Sequence, residues 1–194
     1  SFEIYSSLLW GVMAAGMPEE EKEAFRDLRG QPGVPGEAVY RSPAMFSGYY
    51  KDPEATEESV RHGWFHSGDS FIYHVGEQRA MVDRYKDIVK SGGENVSSIR
   101  VEAVLQQHPD VERAAVIGLP DERWGEAVTA VVIPVDGVTL DTDNIIAFAR
   151  ERLAGFETPK RVVAMAEFPT TVGGKILKYK LRQQLTDANG ASTH

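Results

Sequence analysis

Three short segments carry residues whose types and spacing suit ligand chemistry. The first, "GWFHSGDS", places Asp69 directly after Gly68 in a small polar turn. A carboxylate held on such a turn can accept hydrogen bonds from two sugar hydroxyls at once. The ordinary alternative is that Asp69 only stabilises its own turn. His66 stands beside bulky aromatic residues, so we interpret it as a packing residue rather than a base.

The second segment, "VDRYKDIVKSGGENV", puts four charged residues between two β-prone ends. Arg84 offers a forked donor for hydroxyl or phosphate oxygens, and its ordinary alternative is an ion pair with Asp83 or Asp87. Gly92 and Gly93 permit backbone torsions that other residues avoid, which lets a ligand approach the main chain. The same two glycines also predict a hairpin turn, and the two interpretations are compatible.

The third segment, "PTTVGGKILKYKLR", predicts a mobile loop in which Gly173 and Gly174 present Lys175. A lysine on such a loop can reach a phosphate or a carboxylate from outside a site. The segment is not a phosphate-binding P-loop, because Pro169 stands where that motif needs glycine and Ile176 where it needs serine or threonine. The triplet Gly-Gly-Lys alone is a weak indication of a phosphate or carboxylate contact.

Composition limits the classes of partner. The formal net charge of −8 over 194 residues argues against nucleic acid or an anionic membrane as the main partner. The absence of cysteine excludes disulfides and Cys-based zinc sites and suits a cytoplasmic protein. No apolar run has the length of a membrane span. One region is locally basic and could meet an anion, although a solvated helix face is the favoured interpretation of its last three cations: Lys160, Arg161, Lys175, Lys178, Lys180 and Arg182.

The sequence patterns around these segments predict that the chain has three parts. Residues 1–30 form an atypical segment with one helix after Pro18, and residues 31–85 are dense in proline, glycine and short β-prone pieces. Residues 86–194 alternate between strand and helix patterns. Their β-branched runs "VERAAVIGLP" and "AVTAVVIPV" are typical of buried strands, and helices are expected near residues 98–108, 142–153 and 178–185.

In this order and spacing the segments resemble the carboxyl-terminal part of the adenylate-forming superfamily, the AMP-dependent synthetases and ligases. The similarity runs from Gly36 to Leu185, and the wording of "SGGENVSSIRVE" and "LPDERWGE" is most similar to acyl-CoA synthetases. The resemblance implies an α+β fold. Its mobile carboxyl-terminal lid would hold a three-stranded sheet flanked by helices and a short β-hairpin, and a β-rich part of the large adenylating domain would precede it.

The resemblance also implies a role for each candidate residue. A carboxylic acid would attack ATP to give an acyl-adenylate, and CoA would then displace AMP, with Mg²⁺ assisting in the intact enzyme. Asp69 and Arg84 would contact the ribose, and Lys175 would be the catalytic cation of the first step. Lys86 matches the hinge between the two steps. The main chain at Gly92 and Gly93 would lie along the pantetheine tunnel of CoA.

Several departures from the family pattern leave alternatives open. Leu8 and Leu9 stand where the family places a Thr-Glu pair that helps bind nucleotide and magnesium, and leucine cannot ligate Mg²⁺. Arg100 stands where the family usually has an acidic residue in that helix. The ATP loop and the acid pocket lie upstream in such enzymes, so the isolated chain is expected to be inactive, and no metal ligand is assigned to it. The alternatives are a non-catalytic nucleotide-binding or docking paralogue, and an adenylating partner of a carrier protein.

Overall fold

The computed structural model describes residues 4–5, 33, 35–41, 43–61, 63–73 and 79–191. The contacts of the chain divide it into two units, residues 1–85 and residues 86–194. The helix expected after Pro18, together with Leu8 and Leu9, lies outside the described residues.

The described part of the first unit is an antiparallel sheet with one short helix. Its strands are β1 (Ile4–Tyr5), β2 (Gly36–Tyr40), β3 (Val60–Arg61), β4 (Trp64–Tyr73) and β5 (Arg79–Arg84). The long strand β4 is the centre, with β2 paired along one side and β3 and β5 along the other. The helix α1 (Pro53–Ser59) begins after Asp52, whose side chain accepts a hydrogen bond from the Ala55 N–H at 3.0 Å.

The second unit is built on a three-stranded sheet with a short hairpin attached. Strands β8 (Val111–Asp121) and β9 (Gly125–Pro134) form a long antiparallel ribbon, and β10 (Arg161–Ala164) pairs parallel to β9. The hairpin of β6 (Val89–Ser91) and β7 (Glu94–Val96) joins β9 through the residue pair Ser91 and Gly125. Three helices complete the described part: α2 (Ser98–Leu105), α3 (Thr142–Arg150) and α4 (Lys178–Ala191).

Helices cover both faces of this sheet. On one face Val116 of β8 belongs to a buried cluster with residues of α2 and α3, and on the other Ile117 belongs to a cluster that includes Leu181 of α4. Consecutive strand residues point to opposite faces, so a sheet buried on both sides needs the uninterrupted apolar runs found in β8 and β9. The predicted α+β fold is confirmed.

Three local features add to or differ from the sequence predictions. Of the charged residues between the two β-prone ends, Asp83 and Arg84 lie at the end of β5, and Lys86 and Asp87 lie in the turn that follows. The last helix continues to Ala191 rather than stopping near Leu185. His66 is not only a packing residue, since its Nδ1 lies 2.9 Å from Glu37 Oε2.

Candidate functional site

The first group of candidate residues lies on neighbouring strands of the first unit. Asp69 on β4 is the register partner of Arg84 on β5, and Arg84 Nε lies 3.1 Å from Asp69 Oδ1. The sequence left Asp83 and Asp87 as possible ion-pair partners of Arg84. In the structure Asp83 Oδ1 accepts the backbone N–H of Arg84, and Asp87 pairs with Arg182 of α4. The strand register therefore selects Asp69, a residue distant in sequence.

Asp69 Oδ1 is a buried acceptor at this group. The atom forms an ion pair with Arg84 Nε but no hydrogen bond within the described residues. The Asp69 side chain as a whole is 21% exposed, so the carboxylate reaches the surface through its other oxygen. Burial, together with the nearby charge of Asp69, raises the pKa of the Tyr40 hydroxyl. A ligand hydroxyl could therefore reach the other carboxylate oxygen of Asp69, which can accept its hydrogen bond.

The second group is the loop that carries Lys175. Its base is closed by a hydrogen bond from the Leu177 N–H to the Pro169 carbonyl at 2.8 Å. Nearer the tip, the Thr171 N–H donates to the Lys175 carbonyl at 2.9 Å. Gly174 has a φ of +80°, a torsion that glycine adopts without strain. Lys175 itself is exposed, so the loop presents its ammonium group to solvent.

The residues just after the loop are fixed by a polar network. Lys178 Nζ donates to Ser98 Oγ at 2.6 Å and lies 2.7 Å from Glu102 Oε1. The same Glu102 oxygen accepts the Val116 N–H at 2.7 Å, which ties the start of α4 to α2 and to β8. The sequence favoured a solvated helix face for Lys178, but its side chain is only 14% exposed. The exposed Lys175 thus stands three residues before a fixed anchor.

The third group is the glycine hairpin between β6 and β7. Gly92 and Gly93 have φ values of +62° and +86°, which two-residue hairpins favour because the turn then matches the twist of the strands. The hairpin interpretation of these glycines is therefore correct. The Gly92 N–H donates to the Trp124 carbonyl at 2.8 Å, and a Cβ on Gly92 would lie 3.0 Å from Trp124 Cε3. Trp124 follows β8, so the hairpin lies against the turn of the β8–β9 ribbon.

A cationic platform, formed by Trp124, Arg123, Lys160 and Arg150, adjoins this hairpin. Arg123 lies 4.7 Å and Lys160 5.0 Å from the centre of the Trp124 ring. Burial, together with the charges of Arg150 and Arg123, lowers the pKa of Lys160. A groove of about 320 Å³ opens beside them, with Arg150, Thr158 and Lys160 among its lining residues. Such a surface can attract an anion that carries an aromatic ring.

Sequence reasoning assigned no role to several residues that the structure places in these groups. Trp124 lies in "LPDERWGE", a segment that resembled the family but had no assigned function. Glu37 gave no signal, because a glutamate near the start of a strand is ordinary. The neighbourhood of Lys160 and Trp124 joins loops that are 36 residues apart, so no local pattern could have indicated it.

Comparison with known proteins identifies the class. Residues 100–175 match the family model of the AMP-binding enzyme C-terminal domain. The chain is 48% identical over 170 residues to 4-hydroxybutyrate–CoA ligase 2 from Metallosphaera sedula, covering 84% of this chain and 30% of the relative. It is also 48% identical over 153 residues to a feruloyl-CoA synthase from an Amycolatopsis species, covering 79% of this chain and 31% of that relative.

A solved structure supports the same family assignment. ATP-bound MatB from Rhodopseudomonas palustris superimposes with a TM-score of 0.75 at 32% identity, over 82% of this chain and 32% of MatB. The chain belongs to the adenylate-forming superfamily. Within that superfamily it corresponds to the carboxyl-terminal part of the acyl-CoA ligases, and it spans about a third of the length of the relatives it matches. Among the helices described, none is both long and apolar enough to cross a membrane.

Proposed function

We propose that this chain acts as the carboxyl-terminal part of an acid–thiol ligase that uses ATP and CoA. In the first step an oxygen of the carboxylic acid attacks the α-phosphorus of ATP, an acyl-adenylate forms and pyrophosphate leaves. In the second step the sulfur of CoA attacks the acyl carbonyl, a thioester forms and AMP leaves. The observation that most supports this proposal is the exposed Lys175, held next to the tip of a loop whose base is hydrogen bonded.

Lys175 would supply positive charge in the first step only. Negative charge accumulates on the oxygens around the α-phosphorus as the new bond forms, and a positioned ammonium group stabilises that charge more than it stabilises the ground state. The second step develops charge elsewhere and needs room for the thiol. Withdrawal of Lys175 through rotation about Lys86, the first residue of the second unit, would provide that room.

The proposed nucleotide contacts come from the first unit. Asp69 would accept hydrogen bonds from the ribose hydroxyls through the carboxylate oxygen that reaches the surface, because its Oδ1 is buried against Arg84. Arg84, whose Nε lies 3.1 Å from Oδ1, would pair with the carboxylate and contact the ribose itself.

The proposed CoA contacts come from the second unit. The main chain of Gly92 and Gly93 lacks side chains, so pantetheine can approach it closely. Beside it, the cationic platform of Trp124, Arg123, Lys160 and Arg150 offers positive charge and an aromatic face. CoA carries phosphates and an adenine ring at the end remote from its thiol, and these groups match that surface.

ATP, Mg²⁺ and a cytoplasmic location belong to the same proposal. In the described part of the chain no three His, Asp or Glu side chains cluster as a metal site requires, so the steps above use only Lys175, Asp69, Arg84 and the hairpin.

A cytoplasmic location follows from the proposed use of ATP and CoA and from a sequence free of cysteine. Fatty or aryl acids are the proposed substrate class.

A chimeric ligase tests the proposal. In it, residues 36–191 of this chain replace the matching part of the Metallosphaera ligase. We expect the chimera to catalyse both acid-dependent pyrophosphate exchange with ATP and thioester formation with CoA, and the 194-residue chain alone to catalyse neither. A folded chimera that fails in both reactions would favour a non-catalytic paralogue. A chimera that accepts a carrier-protein thiol in place of CoA would favour an adenylating partner of a carrier protein.

A further inference from the structure

Strand β4 contains a bulge at the residues that lead into Asp69. Glu37 pairs with Ser70 and Val39 pairs with His66. Between these two pairs β2 contributes the single residue Ala38, whereas β4 contributes three. Such a bulge interrupts the hydrogen-bond ladder and redirects the side chains that follow it.

Side chains replace the interrupted ladder at the bulge. The Gly68 N–H donates to Glu37 Oε1 at 3.0 Å, and the Asp69 N–H donates to Ser67 Oγ at 3.0 Å. The Ser67 hydroxyl in turn donates to the Ala38 carbonyl at 2.6 Å. Gly68 has a φ of +70°, so the chain turns sharply just before Asp69.

Glu37 holds the bulge from both sides. While its Oε1 accepts the Gly68 N–H, its Oε2 lies 2.9 Å from His66 Nδ1. The two side chains are only 27% and 22% exposed, so solvent screens this contact incompletely. One carboxylate therefore fixes the residue on each side of Ser67.

We propose that Glu37 is a positioning residue that sets the orientation of the Asp69 carboxylate for the ribose hydroxyls. The inference rests on the proposed role of Asp69. Glu37 acts through the Gly68 amide, one peptide unit before Asp69, and its loss frees the glycine to adopt other torsions. The carboxylate then points in several directions, and its hydrogen bonds to a ribose diol weaken.

The kinetic test compares ATP with 2′,3′-dideoxy-ATP in the chimeric ligase. Because Asp69 is proposed to contact only the hydroxyls, Glu37→Ala should lower kcat/KM for ATP about tenfold, the equivalent of one charged hydrogen bond, and leave the dideoxy analogue nearly unchanged. Glu37→Gln retains an oxygen that can accept the Gly68 N–H and should recover most of the discrimination. An equal loss for both nucleotides would show a merely structural role and overturn the inference.

Asp69→Asn separates the inference from the proposed function. If Asp69→Asn leaves the preference for ATP over the dideoxy analogue intact, the ribose role of Asp69 is wrong. If Asp69→Asn removes the preference and Glu37→Ala does not, only the role of Glu37 is wrong.

A second measurement uses the 194-residue chain and no catalysis. Amide hydrogen exchange at Gly68, followed by NMR, should accelerate about tenfold or more in Glu37→Ala, because the amide loses its acceptor. Glu58→Ala, at an exposed glutamate of α1, is the matched control and should leave exchange at Gly68 unchanged. Unchanged exchange in Glu37→Ala would overturn the inference regardless of the kinetics.

Discussion

Lys178 Nζ lies 2.7 Å from Glu102 Oε1, and this contact joins the first turn of α4 to α2. The side chains are 14% and 18% exposed, so both charges are largely removed from water. Ser98, fully buried, accepts a further hydrogen bond from the same ammonium group. The Lys175 loop is therefore anchored by an ion pair in which each largely buried charge needs the opposite charge of its partner.

Glu102→Gln should destabilise the chain, because it leaves the Lys178 charge buried without its counter-ion. We expect the free energy of unfolding to fall by about 2 kcal/mol, measured by urea unfolding with far-UV circular dichroism. Glu151→Gln is the matched control, since Glu151 pairs with Arg152 while its side chain is 74% exposed. That substitution should cost about 0.5 kcal/mol or less. Equal costs would mean that burial does not strengthen the Lys178 pair.

Lys175→Ala in the chimeric ligase should lower the rate of adenylation by about a hundredfold or more, because the charge that develops at the α-phosphate loses its cation. Thioester formation from supplied acyl-adenylate should be spared. Pyrophosphate exchange and CoA consumption measure the two steps separately. Lys180→Ala removes an exposed lysine of α4 and is the control that should affect neither step. Equal loss of both steps in Lys175→Ala would contradict the assigned role.

Lys86→Pro should impair thioester formation more than adenylation in the chimera, since proline fixes φ at the proposed hinge. The carbonyl of Lys86 accepts a hydrogen bond from Arg182 Nη2 at 3.0 Å, so the second unit holds one side of this residue. The proposed rotation between the two units would then use the backbone torsions at and before Lys86. We expect a fall of about tenfold in the rate of the second step, measured with supplied acyl-adenylate.

Lys86→Ala is the control for the hinge, because it removes the side chain and leaves φ free. It should behave like the unsubstituted chimera in both steps. Unchanged kinetics in Lys86→Pro would place the rotation at another residue.

Gly92→Ala should destabilise the chain and slow thioester formation. Its φ of +62° costs an alanine about 1 kcal/mol or more. The new Cβ would also stand 3.0 Å from Trp124 Cε3, which forces the ring to move. Gly137→Ala is the matched control, because Gly137 has a φ of +76° and nothing within 4 Å of its Cβ position.

The comparison isolates the contact with Trp124. Urea unfolding should show a larger loss for Gly92→Ala than for Gly137→Ala, and only the former should slow the second step in the chimera. Equal losses of stability would mean that the ring moves at no cost.

Lys160→Met should change how stability depends on pH. The pKa of Lys160 is lowered below its ordinary value of 10.5 by burial and by the neighbouring Arg150 and Arg123. Between the folded and unfolded pKa values the unfolded chain binds more protons, so this group makes stability rise with pH across that interval. As the pH rises toward 10.5, the unsubstituted chain should therefore gain stability relative to the substituted one in urea unfolding.

Lys160→Arg separates titration from charge. Arginine stays protonated in this pH range, so it should remove the same pH dependence and still bind an anion. In the chimera, Lys160→Met should raise KM for CoA and leave KM for pantetheine, which lacks the nucleotide, unchanged. A rise in both constants would contradict the proposed contact with the CoA phosphates.

The sequence by itself determined the elements whose causes are local. Serine and aspartate caps begin α2 and α3, where Ser97 Oγ and Asp141 Oδ1 accept the first helical amides. The uninterrupted apolar runs indicated strands buried on both faces, and the glycine pair indicated the β6–β7 hairpin. Each of these signals depends on torsions and periodicity within a few residues, so the sequence displays it directly.

Only the tertiary structure decided which distant side chains meet. Asp69, rather than Asp83 or Asp87, faces Arg84 because β4 and β5 pair in one particular register. The hydrogen bond from the Gly68 N–H to Glu37 requires the bulge in β4. The contact of Lys160 with Trp124 requires two loops to converge beside the sheet. Strand register and loop convergence result from the packing of the whole unit, and no short stretch of sequence encodes either one.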